Sequence, residues 1–168
     1  MKDPNTMRYF IFVFGLLLAL PAQAQVIRHP LPNNSTFPIA QAVEIPAGNT
    51  LIYLSGTVPS PINPDAERGT RAYYGNTEAQ TVNVLSKMQM TLQGMGLDLG
   101  DIVKLTVFLV GDPENDNRMD FSGFMAGYTQ FFGTESQPNL PARSAFQIAG
   151  LTQPLMFVEI EAVVVRRK

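Results

Sequence analysis

The stretch DIVKLTVFLV, residues 101–110, is dense in β-branched and aromatic side chains and predicts a strand at the centre of a sheet, with Lys104 its one charged interior residue. What flanks it sets the architecture. Upstream, Thr77 and Gln80 have the spacing of a helix capping box, and Val82, Leu85, Met88, Leu92 and Met95 recur every three or four residues. That pattern predicts an amphipathic helix with one buried face, ended by the left-handed geometry that Gly94 and Gly96 offer. Downstream, Gly111 to Asn117 reads as a turn, and Asp120 can cap a second helix on which Phe121, Phe124, Tyr128 and Phe131 share a face. This aromatic stripe is assigned to the core.

Further out, RHPLPNNSTFP (28–38) is a turn-rich lead-in by its Pro and Asn content. IAQAVEIP (39–46) and TLIYLSGTVP (50–59) read as two strands joined into a hairpin by the Ala47-Gly48-Asn49 turn. Ser60 to Gly75, rich in Pro, Gly, Asp and Arg, is predicted to be an exposed loop. ARSAFQIA (142–149) and LMFVEIEAVVV (155–165) add two strands. The order is β-β-α-β-α-β-β, an α+β two-layer sandwich in which both helices cover one face of a single sheet. Two helices cannot cover both faces. Alternating apolar residues on several strands make the second face unsuited to water, so a homo-oligomer packing sheet against sheet is expected.

The compartment is read from the start of the chain. Lys2 and Arg8 precede an apolar run from Tyr9 to Leu20, and Ala22-Gln23-Ala24 has the small-x-small pattern that a signal peptidase accepts. Residues 1–24 are expected to be a cleaved signal, the run being shorter than the ~20 residues a membrane span needs. Removing them from 168 residues leaves 144 in one domain, 25–168, in the periplasm or secreted, without stable membrane insertion. The loss of Lys2, Asp3 and Arg8 takes the net charge from −2 to −3, which argues against a nucleic-acid partner. Cysteine is absent, and His29 is the one histidine, in a Pro- and Asn-rich stretch. A serine-histidine triad, thiol chemistry and a multi-histidine metal site are thereby disfavoured, and His29 is expected at the surface.

Candidate chemistry lies in the last two strands. Glu159 and Glu161 are two apart and share a face, with Val158, Ile160 and Ala162 on the other. Arg143, Ala145 and Gln147 likewise share a face. If these strands pair through the Gly150-to-Pro154 turn, register decides whether Arg143 reaches a glutamate. Two readings stay open: an intrachain Arg-Glu pair, or a guanidinium kept for a ligand carboxylate, with a glutamate handling a proton or a water.

NLPARSAFQIAGL (139–151) followed by FVEIEAVVV (157–165) resembles the C-terminal signature of the RidA/YjgF family of reactive intermediate deaminases. LIYLSGTVP, GLDLGDIVKLTVFLV and YTQFFG are similar to further parts of the family pattern, so the resemblance covers nearly all of the expected mature chain. It implies a chorismate-mutase-like homotrimer with clefts between subunits, and hydrolysis of enamines and imines, such as 2-aminoacrylate or 2-imino acids, to 2-keto acids and ammonia. No metal or bound cofactor is implied. By position, Arg143 matches the residue that grips the substrate carboxylate and Glu159 the acid that positions or activates water. Ser55 and Gly56 match the second-strand Ser-Gly, and Ala145 falls where a backbone carbonyl is used. Two positions depart: Ala42 stands where a pocket tyrosine is common, and Met125 where an asparagine is often found. Both remove hydrogen-bonding groups and imply a more apolar pocket. The 60–75 loop is longer than the family pattern, which raises the question of whether Arg71, Tyr73 or Tyr74 reaches a cleft or lies on ordinary surface. A non-catalytic trimer that binds small carboxylates, or a holdase, is the alternative to an enzyme.

Overall fold

The computed structural model describes residues 25–167, so the expected leader lies outside the described residues. Six strands and three helices follow in order: β1 (Ile27–His29), β2 (Ala42–Glu44), β3 (Thr50–Thr57), α1 (Arg71–Tyr74), α2 (Thr77–Gly94), β4 (Ile102–Val110), α3 (Phe121–Tyr128), β5 (Ala142–Ile148) and β6 (Val158–Arg166). The main sheet runs β3-β6-β4-β5, and α2 and α3 pack on one of its faces. Its core joins Leu85, Met88 and Leu92 of α2 and Phe124 and Tyr128 of α3 to Leu105, Val107 and Leu109 of β4 and Ile160, Ala162 and Val164 of β6. The α+β two-layer architecture is as the sequence predicts, and DIVKLTVFLV is an interior strand with neighbours on both sides.

Pairing departs from expectation in two places. β2 and β3 do not form a hairpin. The turn at 47–49 exists, with Gly48 at φ 92° and the Asn49 side-chain Nδ2 donating to the Pro46 carbonyl at 2.8 Å, but its two arms enter different sheets. β2 pairs antiparallel with β1, a short strand that overlaps the start of the expected lead-in, whereas β3 pairs with β6. The reason is burial: Leu54 pairs with Ala162 and Ile52 with Val164, partners that already belong to the core. Nor are β5 and β6 paired. β5 runs parallel to β4, and β6 is inserted between β3 and β4.

Local readings are corrected by the same logic. The cap of α2 is Asn76, whose side chain accepts from the Ala79 amide at 2.9 Å; Gln80 is buried and serves the tertiary structure instead. Its amide donates to the carbonyls of Gly75 (3.1 Å) and Leu155 (2.7 Å) and accepts from the Phe157 amide (2.6 Å), tying the helix start to the lead into β6. The buried face of α2 includes Val84 rather than Val82, and Met95 is 41% exposed beyond the helix end. Gly96, at φ 69°, supplies the left-handed turn, while Gly94 is the last helical residue. On α3 the stripe is core at Phe124 and Tyr128 only. Phe121 and Phe131 are half-buried, and Phe132 is the ring that is enclosed.

The 60–75 segment is not simply exposed. Its helix α1 buries Tyr73 and Tyr74 against Met156, so neither tyrosine is free to line a cleft or to sit on open surface. Arg71 is anchored by Asp112 and, at 2.9 Å, by Glu114, with its guanidinium 5.2 Å from the Phe157 ring centre. Burial alone would raise the Asp112 carboxyl, but the Arg71 hydrogen bond and the Glu114 amide bring it below the ordinary carboxylate value. At the other end of the molecule, Arg28 on β1 donates to the carbonyls of Gly100, Ile102 and Leu140 at 2.7–3.1 Å. This staple, with the Ala40 amide donating to Pro141 at 3.0 Å, lays the 37–42 segment along the free edge of β5.

Candidate functional site

Strand parity decides which candidate residues can meet. Arg143 pairs with Leu105, which is wholly buried under the helices, so Arg143 projects to the helix side of the sheet. Glu159 pairs with Phe108, three residues along β4 from Leu105, and therefore projects to the opposite face. Glu161, opposite Thr106, shares that open face. The intrachain Arg-Glu pair left open by the sequence is thus absent, and none of the ion pairs among the described residues includes Arg143.

On the helix side, Arg143 is enclosed by rings. Its guanidinium carbon lies 4.4 Å from the Tyr128 ring centre, 5.0 Å from Phe124, 5.4 Å from Phe37 and 5.8 Å from Phe121. Nη1 donates to the Met125 sulfur at 3.2 Å, a weak acceptor. Tyr128 directs its own hydroxyl to the Pro38 carbonyl at 2.9 Å. Burial pushes the Arg143 guanidinium below its ordinary value, with Tyr128 acting in the other direction, and an arginine so placed still carries its charge. Burial likewise pushes the Tyr128 hydroxyl up, opposed by Arg143. Each cation-ring contact contributes roughly 0.5–2 kcal/mol. Ring faces stabilise the cation without satisfying its directional N–H donors. The result is a half-buried cation with surplus donors, suited to a planar oxyanion such as a carboxylate. Ala145 follows on the same face, half-buried against the core.

The second group lies across the sheet. A bulge in β3 between Leu54 and Thr57 contains Ser55 and Gly56, both exposed. Gly56 lies directly against Glu159: a Cβ there would be 1.8 Å from Glu159 Oε1. Nearby, Lys104 donates to Ser144 at 2.9 Å, and a cavity of about 180 Å³ is lined by Tyr53, Lys104, Thr106 and Glu161 among others. The open face also carries Tyr53, 75% exposed, and Phe146, 51% exposed. Ala42 stands opposite His29 in the small sheet and is exposed, outside the contacts of Arg143. His29 is itself half-exposed beside Glu44, at 3.5 Å.

The structure therefore divides the candidates. Arg143, Met125 and Ala145 form one group; Glu159, Gly56 and Ser55 form another on the opposite face. Three larger cavities are lined by other residues, one by Asp98, Phe131 and Asn139 among others, another by Arg28, Phe37 and Leu140, and a third by Arg28, Asp101 and Arg167. Sequence reasoning missed Phe37 and the enclosure of the guanidinium. Phe37 belongs to a segment without periodicity, and only the fold brings it beside β5.

Comparisons with known proteins bear on the family and the fold. A family described as Endoribonuclease L-PSP matches residues 32–166. A 2-iminobutanoate/2-iminopropanoate deaminase of Escherichia coli (strain K12) is 35% identical over 130 residues, 77% of this chain and 88% of the relative. A RutC family protein of Haemophilus influenzae has the same identity and coverage. Among solved structures, the YjgF gene product of E. coli is 33% identical with a TM-score of 0.53, covering 79% of this chain and 91% of that one. A Rid family protein from Yersinia pestis, 23% identical, shares the fold with a TM-score of 0.61 over 84% of this chain and 98% of its own.

Proposed function

We propose, from the premise that this chain belongs to the Endoribonuclease L-PSP family, the group of the YjgF and Rid proteins, that it hydrolyses 2-imino acids and their enamine forms to 2-keto acids and ammonia. The observation that carries the reading is the Arg143 guanidinium, half-buried, ringed by aromatic faces and paired with no carboxylate among the described residues. An incoming carboxylate supplies the missing partner, with charge-assisted hydrogen bonds worth about 1.5–3 kcal/mol net. The imine carbon is already electrophilic, so the protein has only to orient the acid and present a water. Water adds to the C=N carbon with one of its protons passing to nitrogen, and the hydroxyl proton follows to nitrogen as the C–N bond breaks, so that ammonia leaves and the keto group remains. Glu159 is the group that holds that water.

Because Arg143 and Glu159 occupy opposite faces of one protomer, one molecule of substrate meets both only between two copies. The homotrimer that the family resemblance implies would supply this arrangement, with Arg143, Met125 and Ala145 from one subunit facing Ser55, Gly56 and Glu159 of another. The exposed Tyr53 and Phe146 on the open face support such packing. Export with cleavage after Ala24 is part of the same proposal, resting on the leader pattern. The family's description names an endoribonuclease, yet the net charge of −2 gives this chain no basic excess for RNA.

The test is a competition assay. An amino-acid oxidase generates 2-imino acids, semicarbazide traps them, and the protein is added. The proposal expects slower semicarbazone formation with wild type and none of that effect with Arg143→Ala, whose folding is checked by circular dichroism. No effect of wild type on any imine, with keto acids still bound, would establish the binding-only alternative.

A further inference from the structure

We infer that Phe37, Phe121 and Met125 form a selective collar over Arg143, and that the site takes 2-imino acids with apolar side chains of leucine, methionine or phenylalanine size in preference to small or amide-bearing ones. This rests on Arg143 being the carboxylate site. A carboxylate seated on the guanidinium fixes the attached α-carbon within one bond of it, so the substrate side chain must extend over whatever surrounds the cation. Phe124 and Tyr128 are wholly buried beneath it and already packed. The accessible surround consists of Phe37, 40% exposed, with half-buried Phe121 and Met125. Phe37 and Phe121 stack at 6.5 Å between ring centres, making a continuous apolar wall. Met125 is already in contact with the guanidinium, and its thioether adapts to irregular apolar shapes.

Hydrogen-bonding capacity is equally one-sided. The Tyr128 hydroxyl is committed to the Pro38 carbonyl, and Met125 offers only a weak acceptor. An amide side chain entering this collar would lose water without finding partners, whereas a branched or aromatic one buries its surface. A methyl-bearing substrate leaves the wall uncovered. Each methylene recognised by an apolar pocket changes relative turnover by about tenfold or more, so leucine-derived imine should exceed alanine-derived imine by at least that factor in kcat/KM.

The experiment compares imines from leucine, methionine, phenylalanine, alanine and glutamine in the competition assay, and measures binding of 4-methyl-2-oxopentanoate, phenylpyruvate and pyruvate by calorimetry. The expected result is at least about a tenfold preference for the larger apolar members in both. Met125→Asn and Phe37→Ser should each shrink the ratio of leucine- to alanine-derived turnover, and with it the ratio of 4-methyl-2-oxopentanoate to pyruvate affinity. A flat profile, or preference for the alanine or glutamine imine, overturns the collar. If no imine is turned over, hydrolysis fails but the collar is still decided: tighter binding of the larger keto acids upholds it, equal dissociation constants refute it.

Discussion

Gly56→Ala probes the water-holding half of the site without replacing either charged residue. A Cβ at position 56 would stand 1.8 Å from Glu159 Oε1, 2.7 Å from its Cδ and 3.1 Å from its Cγ, and real contacts essentially never fall below 3.0 Å. The carboxylate oxygen must therefore withdraw by at least 1.2 Å, the difference between the first and last of these limits. Glu159 is only half-buried and the displaced atoms are the free end of its side chain, so folding absorbs the change at the low end of the ~1–3 kcal/mol that overpacking costs. That corresponds to about 3 °C in melting temperature for a domain of this size. Catalysis is less forgiving, since misplacing a reacting group by about 1 Å can cost about a hundredfold. We expect kcat in the semicarbazide competition assay to fall by about that factor while thermal melting shifts by only a few degrees. Wild-type turnover in a folded Gly56→Ala protein would refute the assignment, because it would mean that the position of Glu159 does not matter.

Two further outcomes concern the frame that holds the site. Gln80→Leu leaves the buried Phe157 amide and the Gly75 and Leu155 carbonyls without their partner, and should lower stability by ~2–4 kcal/mol in denaturant titration. The Arg71–Asp112 contact makes the 60–75 segment acid-sensitive. The folded-state Asp112 carboxyl is held below its ordinary value, so its stabilisation is complete above the ordinary carboxylate range and is lost as pH falls through the folded value. Limited proteolysis of this segment should accelerate across that acid window, and Asp112→Asn should remove the pH dependence.

Much of the scaffold was legible because its signals are local. β4 and β6 announce themselves by composition, and α2 by spacing, since periodicity reports which residues share a face. Partnership between distant strands leaves no such trace. The turn at 47–49 looks like a hairpin, but Ile52 and Leu54 find their core on β6, more than a hundred residues later in the chain. Gln80 has the right spacing for a cap, and its burial becomes visible only once Leu155 and Phe157 are seen beside it. Arg143 and Glu159 lie on strands as the sequence predicts, yet alternation within each strand could not say that the two faces are opposite. That followed from the registers of β4 with β5 and with β6.

The central claim is that the Arg143 guanidinium waits for a substrate carboxylate at a site completed by a second copy. A crystal structure of the assembled protein with 4-methyl-2-oxopentanoate tests it most directly. The account predicts a trimer in which the ligand carboxylate lies within hydrogen-bonding distance of Arg143 and its side chain rests on Phe37 and Met125, with Glu159 from the neighbouring subunit facing the keto carbon. A ligand bound away from Arg143, or an Arg143 that pairs with a carboxylate of the adjacent subunit instead, would contradict it.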